Sequence, residues 1–157
     1  MYLTPRFFAL WIALVLLIGL GYAVPLMFVV GRWMLGAFCL LLLLDMALLY
    51  HRTGIQAWRM MSERFSNGDD NEVDIRVESQ YPFSVRLQII DEIPPIFQRR
   101  DVLFKLRLLR REGKKVRYAL RPTVRGTYSF GHIRVFAQSP LGLLQRRFTL
   151  GTHCDVK

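Results

Sequence analysis

The chain has 157 residues, a net charge of +10 and a pI of about 10.3. Such a balance favours anionic partners (nucleic acid, acidic head groups or an acidic protein) and says nothing about the fold. Two cysteines, Cys39 and Cys154, exclude a disulfide framework and a cysteine-built zinc cluster.

The apolar residues are unevenly spread. Residues 1–50 carry only Arg6, Arg32 and Asp45 as charges. "FFALWIALVLLIGLGYAV", residues 7–24, has none, and "WMLGAFCLLLLLDMALLY", residues 33–50, has only Asp45. A helix needs ~20 mostly apolar residues to cross a hydrocarbon core roughly 30 Å thick, and both segments come near that length. Pro25 and the Gly31–Arg32 pair supply a break between them. The pattern predicts a transmembrane helical hairpin over residues 1–52. A signal peptide explains the first segment less well, because a second apolar segment follows at once. Arg6 before the hairpin, and His51, Arg52, Arg59 and Arg64 after it, outweigh Arg32 in the turn. The positive-inside rule then places both termini in the cytoplasm of a bacterial cell, with the anchor in its inner membrane. Asp45 is the one ionisable group inside an apolar segment. A structural role is expected for it, with His51 or Arg52 folding back towards it.

Residues 53–71 read as a juxtamembrane linker. Its first part is free to continue the second helix, and "SNGDDNE" supplies turn chemistry. From residue 72 to 157 the period changes to two. Val73, Ile75 and Val77 share one face, as do Phe83, Val85, Leu87 and Ile89. The same holds for Val102, Phe104, Leu106 and Leu108, and for Val116, Tyr118 and Leu120. Tyr128 and Phe130 are followed by Ile133 and Val135 on a register shifted around Gly131. Two shorter strands, "RRFTL" and "CDVK", close the chain. Strands at this spacing, broken by Pro94 and Pro95, predict an all-β antiparallel sandwich of the immunoglobulin/fibronectin-like kind. The ending on "THCDVK" suggests that more protein follows.

Residues 63–92 are acid-rich and residues 99–147 strongly basic. Lys105 and Arg107, then Lys115 and Arg117, alternate with apolar residues and are expected to share the wet face of one sheet. Arg107, Arg110, Arg111, Lys114, Lys115, Arg117, Arg146 and Arg147 are the candidate contacts for an anionic partner. Nucleic acid fits less well than lipid or protein. Tyr118, Tyr128 and Phe130 fall in the apolar register and cannot serve as stacking platforms, and no helix is available for a major groove. No catalytic constellation, cofactor loop or metal site is found. Within "HCD" at 153–155, adjacent strand residues point to opposite faces and cannot chelate one ion together. "SPLGL" lacks the flanking glycines of a nucleophile elbow. The carboxylates of "NGDDNEVD" read as a solvated turn.

"RPTVRGTYSFGHIRVFAQSPLGLLQRR", residues 121–147, resembles the signature of the bacterial family called domain of unknown function 58. The resemblance rests on Arg125, Gly126, Tyr128, Phe130 and Gly131. It continues through Pro140, Leu141, Gly142, Leu143, Leu144, Arg146 and Arg147. Ser139 stands where that family commonly has Asp, and Leu141 where it commonly has Phe. Two amino-terminal helices before a β-rich segment also look like that family's layout. The resemblance implies a membrane-anchored protein that continues into a von Willebrand factor A-like domain and is encoded beside a MoxR-type AAA+ ATPase. The Asp-x-Ser-x-Ser metal motif of that domain is missing here, so no metal ligand carries over. The expected function is a non-enzymatic scaffold or adaptor in the lipid bilayer, working with such an ATPase or with other membrane-complex proteins. The alternative is a basic β-domain that binds anionic lipid or nucleic acid at the membrane surface.

Overall fold

A computed structural model describes residues 2–51, 54–97, 102–151 and 154–156. The chain divides into two compact units: Met1–Arg52 with Gln138–Arg146, and Thr53–Ala137 with Arg147–Lys157.

The first unit opens with β1 (Tyr2–Leu3), followed by α1 (Pro5–Leu20) and α2 (Pro25–Tyr50). Thr4 caps α1 and accepts the Phe7 N–H at 3.4 Å. Pro5 and Pro25 each stand at a helix start, where a missing N–H costs nothing. The break between the helices is therefore residues 21–24, and Pro25 opens α2. The expected break at Gly31–Arg32 is absent, since both residues lie inside α2. Close helix approach is the reason. A Cβ on Gly31 would lie 2.7 Å from Ile18 Cγ1, and one on Gly21 would lie 2.7 Å from Phe28 Cα. Small residues let apolar helices approach this closely. Phe38 of α2 packs against Phe7 and Trp11 of α1, with ring centroids 5.5 and 6.1 Å apart.

Gly21→Ala must displace backbone, whereas a Cβ on Gly19 meets nothing within 4 Å. Gly21→Ala should therefore cost about 1–3 kcal/mol. Gly19→Ala should be neutral or slightly stabilising. Thermal melts followed by far-UV circular dichroism in micelles would compare the two.

α2, at 26 residues, is long and apolar enough to cross a membrane. The expectation of two full-length spans is corrected at α1. Its 16 residues reach roughly 24 Å at 1.5 Å per residue, short of the hydrocarbon thickness. The Thr4 cap and the 21–24 turn cut its apolar run. Leu16, Leu20, Leu26, Leu40 and Leu43 are all more than half exposed, an apolar surface of the kind that marks a membrane or protein contact.

The second unit begins inside the segment expected to be a linker. β2 (Ile55–Met61) pairs antiparallel with β3 (Asn71–Ser79), from Ile55↔Ser79 to Met61↔Val73. Neither a linker over 53–71 nor a continued helix describes these residues. β2 forms because Ile55 and Ala57 alternate with exposed Gln56 and complete the β3 edge. The remaining strands are β4 (Val85–Asp91), β5 (Leu103–Leu108), β6 (Gly113–Leu120), β7 (Tyr128–Phe130), β8 (Ile133–Gln138), β9 (Leu144–Leu150) and β10 (Cys154–Val156). A 3-10 turn, Pro95–Phe97, follows β4 where the two prolines end the ladder.

One sheet of this unit has the order β9-β8-β4-β5, the other β2-β3-β6, and β10 pairs with β7. The two larger sheets face each other as a sandwich. Phe104 of β5 stacks on Tyr118 of β6 at 5.8 Å. The inward residues are those of the period-two pattern: Val73, Ile75, Val77, Val85, Leu87, Ile89, Leu108, Leu120, Phe130, Ile133 and Val135 are buried. Each such side chain contributes ~1.5–3 kcal/mol relative to exposure.

Candidate functional site

The turn between β8 and β9 belongs to the first unit, and three features give it its shape. Ser139 N–H donates to the Leu144 carbonyl at 3.1 Å. Gly142 N–H donates to Ser139 Oγ at 3.1 Å. Gly142 sits at φ +77°, a backbone conformation that a side chain resists. The turn then takes hold of both helix ends. Leu3 and Tyr2 pair with Leu144 and Gln145. Thr4 N–H donates to the Leu143 carbonyl at 3.1 Å, and Thr4 Oγ1 donates to the Gly142 carbonyl.

Asp45 is fully buried. Its Oδ2 accepts from Ser139 Oγ at 2.6 Å and from Leu144 N–H at 3.1 Å. Oδ1 has no hydrogen-bond partner among the described residues. Ser139 and Leu144 replace the expected His51, whose N–H donates to the Ala47 carbonyl instead; the other expected partner, Arg52, lies outside the described residues. Arg146 closes the clasp. Its Nη1 donates to the Leu49 carbonyl at 3.0 Å, and its guanidinium lies 4.6 Å from the Tyr50 ring centroid. Arg146 is thus committed within the protein and is not a free contact for an anion.

The second unit holds a separate buried polar group between its sheets. Arg59 of β2 donates through Nε to Asp91 Oδ2 at 3.1 Å and through Nη2 to Asp91 Oδ1. The same Nη2 reaches the Gly131 carbonyl at 3.1 Å. Tyr118 of β6 donates its hydroxyl to Asp91 Oδ2. The Arg59 guanidinium lies over the Phe130 ring at 4.8 Å. Asp91's side chain is wholly buried and Arg59's is 6% exposed, so the group is sealed from substrate and joins the sheets. Arg59 is not the free juxtamembrane cation that the charge pattern implies. A missed signal was present in the parity. Arg59 follows Ile55 and Ala57, and Asp91 follows Val85, Leu87 and Ile89, each on the inward register.

Burial, and then the Asp91 charge, push the Tyr118 hydroxyl well above the ordinary tyrosine range. The folded state therefore holds this proton more tightly than the unfolded chain. Its contribution is complete below about pH 10, the unfolded value, and is lost as pH rises from there. Stability should fall above pH 10 with this slope in the natural chain. In Tyr118→Phe that share of the slope should be missing, as alkaline denaturation series would reveal.

The family-like motif is split between the units. Tyr128 and Phe130 are buried. The Tyr128 hydroxyl donates to the Val124 carbonyl, and its ring packs against Phe65 and Phe97. Gly131 leaves space that Glu92 fills: a Cβ there would sit 2.6 Å from Glu92 Oε2. Arg125 and Gly126 are exposed and line an open groove of about 500 Å³ with Phe65, Val124 and Tyr128. Pro140 and Gly142 belong to the clasp.

The expected shared basic face is also corrected. Lys105 and Arg107 lie on β5, Lys115 and Arg117 on β6, in different sheets. Lys115 pairs with Asp74 at 2.6 Å, and Arg117 with Asp74 and Glu72 at 2.8 and 2.9 Å. Those two cations, Lys115 first, hold the Asp74 carboxyl below its ordinary range. Lys114 meets Glu112 at 3.5 Å. Arg107 donates to Ser84 Oγ at 3.3 Å. Arg110, Arg111 and Arg147 are exposed with no carboxylate partner among the described residues. Arg99, Arg100 and His153 lie outside the described residues, while Cys154 and Asp155 of "HCD" stand on β10, where Asp155 Oδ1 accepts from Ser129 Oγ at 2.6 Å.

No family model matches the chain, and no curated protein matches it in sequence. Among solved structures it is similar to the ASH/PapD-like domain 7 of human CEP192, at 14% identity and TM-score 0.45, over 64% of this chain and 84% of that one. It is also similar to the CARDB domain of PF1109 from Pyrococcus furiosus, at 12% identity and TM-score 0.43, over 66% and 93%. A β-glucosidase from Listeria innocua matches at 15% identity and TM-score 0.30, over 62% of this chain and 16% of that one. With every TM-score below one half, these likenesses decide nothing, and the sandwich rests on its own pairing and burial.

Proposed function

We propose that the chain is a membrane-anchored, non-enzymatic scaffold or adaptor. The clasp carries this reading: a turn from the β-rich sequence binds the ends of an exposed apolar helix pair through Asp45, Thr4 and Arg146. Such a turn fixes an anchor. The buried ionisable groups, Asp45 and the Arg59–Asp91 pair, are engaged in hydrogen bonds that hold structure.

In this reading α2 spans the cell membrane, and the shorter α1 crosses back beside it by thinning the bilayer locally, which leaves both termini in the cytoplasm. The sandwich is of the immunoglobulin/fibronectin-like kind. The Tyr128 hydroxyl bonding back to the Val124 carbonyl supports this, because a tyrosine doing so at a strand start is a habit of such folds. Membership of the domain of unknown function 58 family is part of the proposal, with a downstream von Willebrand factor A-like domain and a MoxR-type AAA+ ATPase as partner. A tag fused after Lys157 should be accessible only from the cytoplasm, and alkaline extraction should leave the chain in the membrane. Labelling of the tag from outside intact cells would refute the cytoplasmic adaptor.

The alternative, a basic domain that binds anionic lipid or nucleic acid, draws on exposed Arg110, Arg111 and Arg147. Flotation with anionic vesicles and a salt titration with DNA test it. Binding that ignores salt in both would remove it.

A further inference from the structure

The two sheets treat their outward cations differently. On β3 and β6 each is matched: Lys115 and Arg117 face Asp74 and Glu72. On β4 and β5 they are not. Arg86 lies directly opposite Arg107, and Gln88 opposite Lys105. No carboxylate stands on the outward register of these two strands. Like charges directly opposite destabilise a sheet, and among the described residues no carboxylate pairs with Arg86, Lys105 or Arg107. The next pair, Ile90 and Leu103, is apolar and 37% and 42% exposed.

β5 is also the terminal strand of its sheet. Lys114 Nζ donates to the Arg107 carbonyl at 2.9 Å, which identifies that carbonyl as pointing away from β4. Backbone groups two residues apart along a strand point the same way. The N–H and C=O groups of Lys105 and Leu103 therefore face the open edge as well. An added strand would lie beside Lys105 and Arg107 on one face. On the other it would lie beside Phe104 and Leu106, both only half-buried. That demands acidic residues alternating with apolar ones. The protein already contains such a strand: Glu72, Val73, Asp74 and Ile75 of β3, paired with the cations of β6. A second copy of β5 is repelled by its own Lys105 and Arg107.

We propose that the open edge of β5 is a docking site for an extended segment of a partner protein, alternating acidic and apolar residues, which adds as a further strand. This rests on the adaptor reading and deepens it by giving the chemistry of the partner. The probe is the hexapeptide Glu-Val-Asp-Ile-Glu-Val, which repeats residues 72–77 with glutamate for Arg76 and is titrated by anisotropy onto the full chain in neutral-lipid nanodiscs. Binding is expected, with slowed amide exchange at Leu103 and Lys105. Lys105→Pro removes an edge N–H at a position where proline is tolerated, Lys105→Glu reverses the charge, and each should weaken binding roughly tenfold or more. Lys115→Ala, on the other sheet, should change nothing. The proposal is overturned by no binding at millimolar peptide, by equal binding to Lys105→Pro, or by Leu103 and Lys105 amides protected before peptide is added. It is also overturned if single-stranded DNA replaces the peptide with the same sensitivity to Lys105, since the face then reads phosphate. Release of the chain by alkaline extraction would sink the anchor reading and leave this result standing.

Discussion

Asp91→Ala is expected to cost the sandwich about 3–5 kcal/mol, because it leaves the Arg59 guanidinium buried without its counter-ion. Arg59 sits between the sheets, where the Gly131 carbonyl, the Phe130 ring and the Tyr118 hydroxyl carry no negative charge to replace the carboxylate. Tyr118 would lose its acceptor as well. A small domain is stable by only ~5–15 kcal/mol, so the loss approaches the whole. Arg59→Met combined with Asp91→Leu should recover part of it, since an apolar pair of similar size needs no partner, while the Tyr118 hydroxyl still lacks its acceptor. Amide exchange across β3 and β6, set out as a double-mutant cycle, reads both effects. If Asp91→Ala lies within about 1 kcal/mol of the natural chain, the pair does not join the sheets in the sense argued.

The second large effect belongs to the clasp. Asp45→Ala removes the acceptor of the Ser139 hydroxyl and the Leu144 N–H, each an orphan costing about 1–3 kcal/mol in a buried site. The loss should appear as faster amide exchange at Leu144 and as proteolysis within residues 139–142. Asp45→Asn keeps one oxygen that can accept both donors and should cost less. Ser139→Ala should fall between, because it also frees the Gly142 N–H. Unchanged exchange at Leu144 in Asp45→Ala would show that the turn holds its place without the carboxylate.

Much of the sandwich is readable from parity. Val73, Ile75 and Val77, or Val85, Leu87 and Ile89, declare their faces because one face is buried and the other wet. β2 is harder to read. Its inward residues are Ile55, Ala57 and Arg59, and a buried arginine breaks the apolar rhythm that marks a strand. Gly31 shows a different limit. A glycine in an apolar run can end a helix or admit a neighbour, and only the opposing Ile18 decides which. The partner of Asp45 is 94 residues away in sequence, so no local pattern names it. Which strands share a sheet is likewise invisible, and that separates Lys105 and Arg107 from Lys115 and Arg117. The motif of residues 125–147 marks the right segment but not its division between the two units.

The discontinuity of the first unit puts a clock on its assembly. Both helices are synthesised before residue 51, yet the serine and amide that satisfy Asp45 arrive with residues 139 and 144. At synthesis rates of ~5–20 residues per second, that interval is roughly 5–20 s. Throughout it the nascent hairpin carries an open carboxylate near one helix end, and the β-rich sequence between must pass before the anchor can close.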